Sequence, residues 1–191
     1  MAASPAAPRD HPDPNADVIV LGVDPGLRVT GYGVLRCSPS QTILLDFNHI
    51  KTDARAPIED RLRAIHWGLR ETLLRWQASE LALESPFVAL NVRSAFAIGE
   101  ARAAAMLAAA EEGARVFQYT PAEVKQSVAG YGRGDKRQIA EVVRLQLGLA
   151  QVPAPADAAD ALAIALCHYA HRRARLLQDE AGRWRGDELK R

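Results

Sequence analysis

Val18 to Val23 is an unbroken apolar run, VIVLGV, that closes on Asp24-Pro25-Gly26. A run of this kind reads as a strand buried on both faces, and Asp-Pro-Gly as the turn that ends it. TGYGVLRC (30–37) and TILLDFNHI (42–50) follow as two β-rich runs separated by Ser-Pro-Ser-Gln, so the first three runs predict an antiparallel meander. From Pro57 to about Trp76 the spacing changes to threes and fours, and Ile58, Leu62, Ile65, Leu69 and Leu73 form one stripe of a helix. LALE (81–84) is a short strand ending in a carboxylate, broken by Ser85-Pro86-Phe87.

An alanine-rich helix is expected from Asn91 or Val92 to Glu112, stopped by Gly113. RVFQY (115–119) is another strand, and Thr120-Pro121 with Glu123 is a capped helix start. GYGRGD (130–135) is a glycine-rich loop, Asp135 opens an amphipathic helix to Leu147, and PAPAD (153–157) leads into the last helix. The order β-β-β-α-β-α-β-α-α-α predicts an α/β fold: a mixed sheet of three antiparallel strands plus parallel strands, with helices on both faces. Ligands of such sheets gather at the carboxyl ends of the parallel strands, where Asp24 and Glu84 stand.

With 191 residues, 48% hydrophobic and 25% charged, the chain suits one domain that needs no disulfides. The expected organisation is a disordered, proline-bearing extension (1–16), a folded unit (17–175) and a flexible tail (176–191). No signal-peptide core or membrane-length apolar stretch is present, so a cytoplasmic protein is expected. Cys37 and Cys167 sit in apolar contexts and read as core thiols of a reducing compartment. The net charge of +1 argues neither for nor against nucleic acid. Local basic zones, Arg115 to Arg144 and Arg172, Arg173 and Arg175, suit a phosphate-binding face and equally many other enzymes.

Asp157 and Asp160, three apart at the start of the last helix, share a face in a first turn that favours negative charge. Together with Asp24 and Glu84 they would repel one another unless a cation lay between them. An all-oxygen cage without a cysteine or histidine cluster selects Mg²⁺, with Mn²⁺ as substitute. Two such ions per site can clamp the attacking and leaving oxygens of a phosphodiester, leaving a 5′-phosphate without a covalent enzyme intermediate. Taken singly, the acids have plainer readings. Asp24 could start a turn, Glu84 could be a solvent-facing strand end, and Asp157 could be a helix cap with Asp160 beside it.

At these residues the chain resembles the bacterial RuvC Holliday-junction resolvases, homodimeric nucleases with a ribonuclease-H-like fold. The resemblance spans Val18 to His171 and is carried by GVDPGLRVTGYGV (22–34), LALESPF (81–87), NVRSAFAIGEARA (91–103), TPAEVKQSVAGYGRGDK (120–136) and ADAADALAIALCH (156–168). It implies a structure-selective endonuclease that resolves four-way DNA junctions in recombination and repair, by paired symmetric hydrolysis. It also implies a branch-migration complex, RuvA–RuvB, as partner. Asp24, Glu84, Asp157 and Asp160 match the metal-binding acids, and Lys125 and Lys136 match lysines near the scissile phosphate. Phe87 matches an aromatic residue that opens or stacks on the crossover; Arg28, Asn91 and Arg133 lie in matching loops and imply DNA-backbone contacts. Ser85-Pro86 departs from one well-known member and stiffens the loop carrying Phe87.

A two-fold dimer would supply two sites for two nicks. The alanine-rich helix is its candidate seam, through Phe96, Ile98 and Met106, or else it is wholly internal core. Competing functions are a nuclease for RNA or RNA–DNA hybrids and a junction-binding scaffold without catalysis. An actin-like ATPase, which also opens on an Asp-x-Gly turn, needs a second large lobe for which 191 residues leave no room.

Overall fold

The apolar run from Val18 becomes β1 (Val18–Asp24), the central strand of a five-stranded sheet. The computed structural model describes residues 16–85, 92–130 and 135–188. β2 (Val29–Cys37) and β3 (Thr42–Lys51) extend the sheet antiparallel on one side; β4 (Glu80–Glu84) and β5 (Arg115–Tyr119) extend it parallel on the other. The strand order is β3-β2-β1-β4-β5. α1 (Ile58–Trp76) and α2 (Val92–Glu111) connect the parallel strands, and α3 (Pro121–Ala129), α4 (Lys136–Gln146) and α5 (Ala156–Glu188) follow them. This is the ribonuclease-H-like arrangement, with the element order that the hydrophobic pattern predicts.

β1 is apolar throughout because it feeds two cores. Val18 and Val20 face α3, α4 and α5 together with Leu35, Ala82, Val124, Ile139 and Leu162. Leu21 and Val23 face α1 and α2 together with Leu81, Leu83, Ile65, Leu69 and Leu73. Each such side chain, fully buried, contributes about 1.5–3 kcal/mol of hydrophobic stabilisation. The α1 stripe is real except at its start: Ile58 lies in the first turn, outside the packed stretch, and remains 40% exposed. α5 runs well past Arg175 to Glu188, into the segment expected to be a flexible tail. No helix among the described residues is long and apolar enough to cross a membrane.

A buried polar chain ties α5 to the parallel strands. His168 and Glu80 are almost fully buried, with His168 Nε2 2.6 Å from a Glu80 carboxylate oxygen and Nδ1 2.7 Å from the Tyr119 hydroxyl. Arg115 pairs with the same carboxylate, and Arg172 stands 3.5 Å from it. Burial pushes the Tyr119 hydroxyl up to about 12, so it keeps its proton and donates. Burial also lowers the His168 pKa, against the pull of Glu80. A neutral ring that accepts from Tyr119 and donates to Glu80 satisfies both ring nitrogens and the Tyr119 hydroxyl. Burial alone would raise Glu80, but His168, Arg172 and Arg115 outweigh it and hold the carboxyl below its ordinary range.

Because the folded His168 binds its proton less readily than the unfolded chain, stability is lost as pH falls from the unfolded value near 6.5 towards the folded one. Urea unfolding at pH 7 and pH 5 should therefore show wild type losing stability relative to H168Q, whose amide can imitate both hydrogen bonds. Equal changes in the two proteins would refute a neutral, buried His168.

Candidate active site

Asp24 is the last residue of β1 and Glu84 the last of β4, and the parallel register pairs Val23 with Leu83. The two carboxylates thus stand side by side at the carboxyl edge of the sheet, on its α5 face. They line a cleft of about 260 Å³ together with Lys125, Lys136, Asp160, Pro121, Val124 and Ile139. Asp24 and Glu84 therefore share one cleft rather than standing apart at separate strand ends.

What brings Asp160 to them is a floor of glycine. Gly31 pairs with Asp24 across β1–β2, and Gly22 pairs with Gly33. A Cβ on Gly31 would lie 2.0 Å from the Asp157 carbonyl oxygen, and one on Gly22 2.2 Å from that of Ala161. The first turns of α5 rest directly on strand backbone, closer than any side chain allows. Asp157 stands in the first turn of α5 but is not among the residues lining the cleft, although its charge reaches Asp24. Three of the four predicted acids share the cleft, with the fourth beside it.

Two capped helices bring up the lysines. Thr120 and Glu123 form a reciprocal cap on α3, which carries Lys125, and Asp135 and Gln138 do the same for α4, which opens on Lys136. A cation in a helix's first turn opposes the helix dipole. Lys136 has a compensating partner: its Nζ lies 2.8 Å from Asp160 Oδ2. Among the described residues no three metal-ligating side chains stand close enough together to hold an ion.

The cleft disfavours negative charge. Burial, then Asp160 and Glu84, raise Asp24 from 3.8 to about 7, against Lys136. Glu84 is raised by burial and Asp160, against Lys136, Lys125 and Arg102. Lys136 is raised, chiefly by its hydrogen bond to Asp160. Positive charge in the cleft would lower each of these carboxyl groups.

Arg28 is exposed on the turn beside Asp24. That turn is locked from behind by residues the sequence did not reveal. Arg61 donates to the Leu27 carbonyl and the Thr52 hydroxyl, at 3.0 Å each, and the Thr52 backbone N–H donates to the Arg28 carbonyl. Gly26 is required because a Cβ there would lie 2.3 Å from the Val29 carbonyl oxygen. Phe87, Asn91 and Arg133 lie outside the described residues. Cys37 and Cys167 are buried, and burial pushes both thiols up to about 12, which makes them inert core residues. The glycines carried a readable signal, alternating on one strand face as Gly31 and Gly33, whereas Thr52 and Arg61 carried none.

A ribonuclease-H-like sheet with acids at its parallel edge and lysines facing them defines a nuclease of the resolvase class. The chain belongs to the RuvC family: residues 20–168 match the family model described as crossover junction endodeoxyribonuclease RuvC. It is 48% identical over 153 residues to the RuvC of a Dehalococcoides mccartyi strain, covering 80% of this chain and 93% of that one. Among solved structures it is similar to Thermus thermophilus RuvC in complex with Holliday junction substrate. That likeness has a TM-score of 0.79 and 37% identity, over 82% of this chain and 96% of the other. The yeast mitochondrial Holliday junction resolvase Ydc2 shares the fold at 12% identity and a TM-score of 0.62, over 84% of this chain and 81% of the other.

Two predictions follow from the cleft. Without metal, folded Asp24 keeps a proton that the unfolded chain loses near 3.8, so stability falls as pH rises from there to about 7. In EDTA at pH 8, D24N should be more stable than wild type by on the order of 2 kcal/mol, with the gain vanishing near pH 4. Urea titrations that show no gain at pH 8 would contradict the repulsion. Gly31→Ala, which must push α5 off the sheet, should cost about 3 kcal/mol or more. A near-neutral melt would disprove the close approach.

Proposed function

We propose that this chain resolves four-way DNA junctions by Mg²⁺-dependent hydrolysis, as two symmetric nicks that leave 5′-phosphates. The observation that carries this reading is the convergence of Asp24, Glu84 and Asp160, from three separate elements, on a cleft that Lys125 and Lys136 also line. The donors suit a hard divalent cation, being all carboxylate oxygens in a buried place where Asp24 is pushed up to about 7 by its surroundings. Asp24, Glu84 and Asp160, which line one cleft without yet meeting at ligating distance, would close on it, with Asp157 on the adjacent turn as the fourth donor. Bound there, such ions supply charge to offset that of the phosphate and lower the pKa of the attacking water.

The protein's own groups do the rest. The sheet edge fixes Asp24 and Glu84, while the glycine floor fixes α5. Lys136, released from Asp160 when a cation replaces it, and Lys125 neutralise the DNA backbone without reading bases. Arg28 extends this contact along the strand, and Phe87, Asn91 and Arg133 are proposed to act at the crossover.

Two symmetric nicks need two sites, and a homodimer through α2 supplies them. Phe96 and Leu107 project from α2 at 67% and 55% exposure, with Ile98 at 37%. Met106, the third residue of the expected seam, is partly buried against the core cluster that holds Ala105 and Ala109, and the exposed Leu107 stands beside it. The nuclease unit is 17–175, working in the cytoplasm, where its two free cysteines stay reduced, and in concert with the RuvA–RuvB branch-migration complex.

Mapping the 5′ ends released from a synthetic four-way junction in Mg²⁺ tests the reading. Paired, symmetric cuts bearing 5′-phosphates are expected, and D24N should bind the junction without cutting it. Preferential cleavage of an RNA–DNA duplex would replace this proposal with a hybrid nuclease.

A further inference from the structure

Directly behind the cleft, on the opposite face of the sheet, Arg102 of α2 is 5% exposed. Its guanidinium reaches two strand ends at once. One nitrogen donates to the main-chain carbonyl of Glu84, and the other lies 2.6 Å from the Gln118 side-chain oxygen. Gln118 on β5 is the register partner of Leu83, and the Ser85 N–H donates to the Tyr119 carbonyl at 2.6 Å. β4 is only five residues long, so few ladder bonds hold its end.

A guanidinium removed from water is tolerated only where hydrogen bonds replace hydration. The helix positions beside it, Ala101 and Ala105, fill the same packed face with methyl groups and no charge. Packing alone therefore does not call for arginine here. What arginine adds is a rigid fork of donors matched to the last carbonyl of the strand that bears an active-site acid, and a fixed positive charge behind that acid.

The geometry points to Arg102 as a positioning residue for cleavage: it clamps the end of β4 to β5 and α2, so that Glu84 presents its carboxylate into the cleft in a fixed place. It touches neither phosphate nor metal and acts only through Glu84. The inference rests on Glu84 being a metal-holding acid, as proposed above. Residues that orient metal ligands alter metal affinity or activity by about 10–100-fold when changed.

The test compares wild type, R102Q, R102K and E84Q on a four-way junction, recording maximal cleavage rate, half-saturating Mg²⁺ and junction affinity in Ca²⁺. For R102Q the expected result is a rise of about tenfold in half-saturating Mg²⁺ and a similar fall in rate. Junction affinity should stay within about twofold, millimolar Mn²⁺ should restore most of the cleavage, and R102K should fall between. E84Q should bind but not cut at any Mn²⁺ concentration. A folded R102Q with the wild-type Mg²⁺ curve overturns the proposal, as does loss of junction binding in step with cleavage. Cleavage by E84Q would instead sink the reading of Glu84 itself. Should R102Q not fold, Gln118→Leu removes the second anchor and leaves the arginine; it should raise half-saturating Mg²⁺ about threefold, and an unchanged curve overturns the clamp.

Discussion

The site exists because a helix lies on bare backbone. Gly22, Gly31 and Gly33 leave β1 and β2 without side chains where α5 begins, and the carbonyls of Asp157 and Ala161 occupy the space their Cβ atoms would take. Any larger residue would lift the helix, and its acids, away from the strand that carries Asp24. The separation of acids in a metal cleft must be held to a few tenths of an ångström. A backbone-to-backbone contact delivers that better than interdigitated side chains, which can repack. Farther along α5, the buried His168–Glu80–Tyr119 chain pins the same helix to β4 and β5. The helix is thus fixed at two points along its length.

Fixing carboxylates together is electrostatically unfavourable, and Lys136 offsets part of that. It sits in a helix turn that disfavours a cation, yet pairs with Asp160 and holds down the pKa values of Asp24 and Glu84. A largely exposed lysine is well suited to this, since an ammonium on a long stem keeps contact with water while pairing with the acid. One residue can serve as counterion before metal and substrate arrive and as a backbone contact afterwards.

Much of this could be read from the chain because the strongest signals were local. The unbroken apolar run of β1, the period change at α1, the caps at Thr120 and Asp135 and the spacing of Asp157 and Asp160 are all neighbour relations, and each landed within a residue or two. Asp24 and Glu84 were legible as strand ends, but their adjacency needed the β1–β4 pairing, which is long-range. Arg61, Thr52 and Arg102 were illegible for the same reason. Each looks like an ordinary surface residue of a helix or turn until the fold brings a particular carbonyl to it. Ile58 misled because a stripe of hydrophobic residues says that a face is covered, not how far along.

The two faces of the sheet divide the work. The α5 face carries every acid and lysine of the cleft, while the α2 face is alanine packed against α1, with Phe96 and Leu107 outermost. A polar cleft suits chemistry, and keeping the apolar packing of α1 and α2 on the other side leaves DNA free to approach it. The division leaves Glu84 dependent on a strand that α2 contacts from behind. Arg102 is the only described side chain of α2 that hydrogen-bonds to the end of that strand. A shift of α2 therefore has a short, hydrogen-bonded route to Glu84.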